Sequence, residues 1–121
     1  MTTHVLLVED NAVNAYLARY VLEDAGFEVE WVTDGQQALD AAAARRPDII
    51  LMDLRMPVLD GYEATRRLKA DPLLRDVPVL AMSAQALPEE KARALAAGCV
   101  AHIGKPIDVS TLANQVRAWL K

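Results

Sequence analysis

The chain has 121 residues, 53% of them hydrophobic, and a net charge of -4 at pH 7, a length that fits one domain whose single core needs neither disulfides nor a structural metal. Its one cysteine, Cys99, can form no internal bridge, which suits a reducing cytoplasm. With no basic block longer than Arg45-Arg46 or Arg66-Arg67, no basic leader and no membrane-length apolar stretch, the sequence argues against nonspecific nucleic-acid binding, export and membrane insertion.

The first apolar run, Val5 to Val8, reads as a strand buried on both faces. Val13, Leu17, Tyr20 and Val21 then mark the inner face of a helix that Asp10 or Asn11 can cap and Gly26 can end. Glu28 to Val32 is the second strand. Asp34 caps a helix carrying Ala38, Leu39 and Ala42 inward, and Pro47 stops it before the third strand, Ile49 to Met52. Asp60 opens the third helix, with Glu63 at capping-box spacing, and Pro72 and Pro78 bracket its exit loop. The fourth strand is Val79 to Met82. Pro88, Glu89 and Glu90 form the first turn of a fourth helix, closed by Gly98. Cys99, just beyond, is a small buried thiol. Val100 to Ile103 is the fifth strand, and Asp108 starts a last helix whose Leu112, Val116, Trp119 and Leu120 face the sheet. Strand and helix alternate without a linker, so residues 1–121 form a single domain: a flavodoxin-like (βα)5 doubly wound parallel sheet of order 2-1-3-4-5. Tyr16, Tyr20, Trp31 and Trp119 are too scattered to stack on bases and read as packing or interface residues.

Five polar residues sit where these runs end: Glu9 and Asp10 after the first, Asp53 after the third, Ser83 after the fourth and Lys105 after the fifth. In an open parallel sheet the ligand crevice lies outside the carboxyl ends of the strands, at the point where strand order reverses. Three carboxylates facing one another there raise one another's pKa unless a cation neutralises them. Oxygen-only donors point to a hard ion, and Mg2+ fits better than calcium because few protein oxygens are offered. No cysteine or histidine cluster supports zinc. Lys105 and Ser83 supply an ammonium and a hydroxyl suited to a phosphoryl group, which leaves Asp53 as the nucleophile.

Together, Val8-Glu9-Asp10-Asn11, Ile50 to Pro57 with Asp60-Gly61, Ser83-Ala84 and Lys105-Pro106 resemble the receiver domain of bacterial two-component response regulators, over essentially the whole chain. The resemblance implies that Asp53 accepts a phosphoryl group from a phosphohistidine on a histidine kinase or histidine phosphotransfer protein. It implies that Asp10 and Asp53 bind Mg2+ directly, Glu9 through water, and the Arg55 backbone carbonyl completes the set. It further implies that Ser83 and Lys105 sense the phosphoryl group, that the Lys105-Pro106 peptide is cis, and that phosphorylation shifts a face made by the fourth helix, fifth strand and fifth helix. Such a domain is a switch rather than an enzyme, with at most slow self-dephosphorylation.

Two positions, His102 and Arg55, depart from the pattern. His102 stands where the family usually has Tyr or Phe, and two readings of it remain: an imidazole that still serves as the switch, pH-sensitively, and a surface histidine without a signalling role. Arg55 and Gln85 occupy positions tied to phosphoryl lifetime; the Arg55 side chain also reads as simply solvated. Asn14 reads either as a site residue or as an ordinary exposed helix position. The pattern is nearest to DivK-like or CheY-like single-domain receivers, which work by contact with a downstream protein effector, with a monomer favoured and no nucleic acid or membrane as partner. The alternatives are a pseudo-receiver that binds partners without phosphorylation and the isolated receiver of a hybrid kinase or larger regulator. A haloacid-dehalogenase-type phosphatase would need a second acid where Arg55 stands, and a flavodoxin-like cofactor binder would not place Asp10 where an anion belongs.

Overall fold

The computed structural model describes residues 2–84 and 87–120. Among them, strands and helices alternate as β1 (His4–Val8), α1 (Ala12–Asp24), β2 (Glu28–Val32), α2 (Gly35–Ala44), β3 (Ile49–Asp53), α3 (Gly61–Ala70), β4 (Val79–Ser83), α4 (Pro88–Ala97), β5 (Ala101–Gly104) and α5 (Leu112–Arg117). The five strands form one sheet in the order β2-β1-β3-β4-β5, and every pairing is parallel. This is the doubly wound arrangement implied by the apolar runs. No described helix is long and apolar enough to cross a membrane.

The three central strands β1, β3 and β4 are buried along their whole length, because helices cover both faces of the sheet. Successive residues therefore enter different cores. Leu6, Val8, Ile50, Met52 and Val79 pack with Ala38, Ala64, Leu68 and Ala94 of α2, α3 and α4. Val5, Leu7, Ile49, Leu51, Leu80 and Met82 pack with Ala15, Ala18, Leu22, Leu112 and Val116 of α1 and α5. Each fully buried Leu or Ile contributes about 1.5–3 kcal/mol.

Local chemistry fixes where the helices start and stop. Asn11 Oδ1 accepts from the Asn14 N–H at 3.1 Å, Asp34 Oδ1 from Gln37 at 2.8 Å and Asp60 Oδ1 from Glu63 at 2.9 Å, each satisfying one orphan donor. The return half of the box at Asp60 is replaced: the Glu63 carboxylate takes Arg66 and Arg67 instead. Pro88 opens α4, and Gly98 closes it at φ +117°, a left-handed conformation that costs glycine little.

Two helix faces differ from the sequence expectation. On α1, Ala15, Ala18 and Leu22 face inward, whereas Val13 is 75% and Tyr20 72% exposed, with Tyr16 and Leu17 also outside. Small side chains let α1 lie close to the sheet and α5, so the larger apolar residues are turned out. The last helix begins at Leu112, because Asp108 organises a separate turn in which its Oδ1 accepts from Ser110. Leu112 and Val116 are buried, but α5 ends at Arg117 and no longer holds Trp119 in register, leaving it 44% exposed.

Candidate functional site

The strand order places the ends of β1 and β3 side by side, with β4 next to β3 and β5 beyond it. Asp53 closes β3, Ser83 closes β4, and Glu9 and Asp10 follow β1 directly. The Glu9 backbone is pinned on both sides: its N–H donates to the Val32 carbonyl at 3.0 Å, and its carbonyl accepts from the Trp31 indole N–H at 2.8 Å. At the end of β3, Gly61 allows α3 to start close by; a Cβ there would lie 2.3 Å from the Asp53 carbonyl oxygen. No other residue fits without moving the backbone that carries Asp53.

Lys105 joins the carboxylates. Its Nζ donates to Glu9 Oε1 at 3.0 Å, to Glu9 Oε2 at 2.8 Å and to Asp53 Oδ2 at 2.8 Å. Its backbone N–H donates to the Ser83 carbonyl at 3.0 Å, and its peptide bond to Pro106 is cis, in keeping with the resemblance. Asp53 Oδ1 accepts from the Arg55 N–H at 3.0 Å, while Glu9 Oε1 also accepts from Asn14 Nδ2 at 3.2 Å. Glu9 is only 1% and Asp53 only 4% exposed.

Burial raises the Glu9 carboxyl above its ordinary value, and Asp53 adds to the rise against the Lys105 ammonium. For Lys105, burial alone would lower the pKa, but the hydrogen bonds to Asp53 and Glu9 outweigh it and hold the ammonium up. One ammonium thus serves two sealed carboxylates while the exposed Asp10 stands beside them. One oxygen from each of Glu9, Asp10 and Asp53 lies within 4.8 Å of the others. Hard oxygens in negative excess fit a small hard dication such as Mg2+, which keeps several waters and shares a phosphate oxygen.

Ser83 is buried, and its Oγ is hydrogen-bonded to His102 Nε2 at 2.8 Å. His102 is partly buried in β5 and is therefore no free surface side chain. An open cleft of about 620 Å3 adjoins the cluster, lined by Asp10, Arg55, Met56, Tyr62, Glu90 and Arg93 among others, with the Arg93 guanidinium 3.9 Å above the Tyr62 ring. On the other flank, Tyr16 of the outward apolar stripe on α1 meets Trp31 edge-on at 5.5 Å.

The structure thus brings Glu9, Asp10, Asp53, Ser83, Lys105 and His102 to one end of the sheet. Asn14 joins them through Glu9. Gln85 lies outside the described residues. Trp31 was legible in sequence only as a packing or interface residue; the signal for its contact with Glu9 was its place near the end of the strand that pairs with β1.

The response regulator receiver domain family matches residues 5–117 of the chain. The polar-differentiation response regulator DivK of Brucella ovis is 40% identical over 120 residues, which cover 99% of this chain and 98% of that protein. The chemotaxis response regulator CheY4 of Vibrio cholerae superposes with a TM-score of 0.94 at 31% identity, covering 99% of this chain and all of that one. The receiver domain of the sensor histidine kinase PA1611 from Pseudomonas aeruginosa, solved with magnesium coordinated in its active site cleft, superposes with a TM-score of 0.91 at 40% identity over 98% of each chain. Receiver domains are phosphorylation switches of two-component systems that bind Mg2+ in an acidic site and work between histidine kinases and effectors. On the match along its length and the acidic cluster at the end of its sheet, this chain belongs to the response regulator receiver domains.

Proposed function

We propose that the chain is a cytoplasmic, single-domain phosphorylation switch that takes a phosphoryl group onto Asp53 from the phosphohistidine of a histidine kinase or phosphotransfer protein. The observation that carries this reading is the pair of sealed carboxylates sharing the single Lys105 ammonium, with Asp10 in reach. As the P–N bond to the donor imidazole breaks, a P–O bond to an Asp53 oxygen forms, and the carboxylate, ionised beforehand, needs no separate base. Asp10, Asp53, the Arg55 carbonyl and, through water, Glu9 would hold Mg2+, which when bound neutralises these oxygens and those of the incoming phosphoryl group. Lys105 gives up its bond to Asp53 and pairs with a phosphoryl oxygen, Ser83 supplies a hydroxyl to another, and His102 is linked to the event through Ser83. Gly61 and Pro106 serve the site structurally.

The donor must bring its imidazole to the rim of the cluster. The α1 stripe of Val13, Tyr16, Leu17 and Tyr20 flanks that rim and is apolar and exposed, which suits a helical partner. Output is by protein contact through α4, β5 and α5, as a monomer.

Intact-mass spectrometry tests the reading. With magnesium and acetyl phosphate, or with a phosphorylated histidine donor, the protein is expected to gain one phosphoryl group, and Asp53→Asn to gain none. An unchanged mass with both donors would favour a receiver that binds partners without phosphorylation.

A further inference from the structure

The Ser83–His102 hydrogen bond bears on how a phosphoryl group is read, and this step rests on the phosphoacceptor role of Asp53. A serine hydroxyl has one hydrogen to donate. Between Ser83 Oγ and His102 Nε2, 2.8 Å apart, that hydrogen takes one of two positions. If Nε2 is unprotonated, the hydroxyl donates to the ring, and its only hydrogen is used there. If Nε2 carries a proton, the ring donates to Oγ, and the hydroxyl hydrogen is left for another acceptor. The phenyl ring of a phenylalanine at this place would make no such distinction, because it has no hydrogen-bonding nitrogen.

We propose that His102 is a positioning residue for phosphoryl sensing: while Ser83 keeps its bond to the ring, it can donate to an oxygen on phosphorylated Asp53 only when His102 Nε2 is protonated, so reading the phosphoryl group moves a proton onto that nitrogen. The proton comes from solvent, giving the imidazolium, or leaves Nδ1 for solvent as another arrives at Nε2, giving the other neutral tautomer. No bond between heavy atoms changes in either case.

The surroundings of the ring fit a proton uptake tied to phosphorylation. In the unphosphorylated state, burial lowers the proton affinity of His102, the Lys91 ammonium lowers it further, and the Glu90 carboxylate opposes them. Both charged residues belong to α4, and one Glu90 oxygen is buried without a hydrogen-bond partner among the described residues, placing uncompensated acceptor capacity on the helix that faces the ring. β4 contributes the uncharged Ser83. Lys105, beyond the end of β5, has its ammonium tied to Glu9 and Asp53. Since the phosphoryl group draws the Ser83 hydrogen away from the ring, binding it and protonating Nε2 favour each other, and the linkage is reciprocal.

The chain has two histidines, and His4 lies at the opposite end of the sheet, so nitrogen-15 spectra of the ring nitrogens can follow His102 with His4 as internal reference. On adding magnesium and beryllofluoride, a phosphoryl mimic, the His102 midpoint is expected to rise by about one pH unit, tenfold in proton affinity, or Nε2 to become the protonated nitrogen, with His4 unmoved. Ring nitrogens and midpoint that stay the same while Asp53 takes up the mimic would overturn the proposal. If neither beryllofluoride nor acetyl phosphate reacts in a manner that Asp53→Asn abolishes, the phosphoacceptor reading itself fails and this proposal with it. As a second arm, the phosphoryl lifetime of wild type is expected to change between about pH 6 and 8 where that of His102→Gln, whose amide can donate to Oγ without titrating, stays flat. Parallel profiles, together with ring spectra in which Nε2 gains no proton, would also overturn it.

Discussion

Ionisable groups gather at both ends of the sheet, but only one gathering is closed off from water. At the amino end of the strands, the His4 N–H donates to Asp48 Oδ2 at 2.7 Å and its Nε2 lies 3.2 Å from Glu30 Oε1. Glu28 there pairs with Arg45, whose side chain is 58% exposed. The His4 ring is itself buried, but the carboxylates of Glu28 and Glu30 and the Arg45 guanidinium around it reach solvent, and such exposed pairs are worth little. At the carboxyl end, Glu9 and Asp53 are sealed against one ammonium, and removing water makes each charge dependent on the next. Similar residue types therefore close a sheet end in one place and hold unspent negative potential in the other, and burial makes the difference.

Three experiments test that contrast. The largest effect is expected for Lys105→Met, which leaves two buried carboxylates without their cation and is expected to cost about 3–5 kcal/mol in urea unfolding at pH 7 without divalent metal. The Lys105 pKa is raised, so its stabilisation is fully present below its ordinary value of 10.5 and is lost as pH climbs above it; the variant is expected to lack that alkaline loss. A cost under about 1 kcal/mol, the level of an exposed pair, would make the two ends alike. Next in size, magnesium at a hundredfold its Kd is expected to stabilise wild type by about 2.7 kcal/mol in thermal melts, far less in Asp10→Asn, and undiminished in Arg45→Gln. Smallest is Arg45→Gln by itself, which is expected to leave the urea midpoint at pH 7 nearly unchanged. Its trace appears in acid: the Arg45 hydrogen bond holds Glu28 below the ordinary value of 4.5, so that contribution is present above 4.5 and fades as pH falls below it, and the variant's acid limb is expected to be flatter. A deficit at pH 7 matching that of Lys105→Met would refute the assignment of the amino end.

The strands, their order and the convergence of Glu9, Asp10, Asp53, Ser83 and Lys105 were legible because fully buried parallel strands appear as continuous apolar runs and their final residues share one edge. The α1 face was not. A count of large apolar residues picks Val13, Leu17 and Tyr20, whereas close approach to the sheet selected Ala15 and Ala18, and alanine gives little signal in a hydrophobic pattern. Trp119 escaped for a different reason: periodicity carries only as far as the helix, and α5 stops before reaching it. The hydrogen bonds of Trp31 to Glu9 and of His102 to Ser83 cross between neighbouring strands, and one-dimensional spacing does not contain register.

The Trp31 indole, bonded to the Glu9 carbonyl and in edge contact with Tyr16 of the α1 stripe, makes the protein its own optical reporter. The other tryptophan, Trp119, sits beside Thr3, Asp48 and Pro78 at the far end of the sheet. Light emitted by the first carries news of the backbone beside the acidic cluster, and the second supplies a background from the opposite end of the sheet.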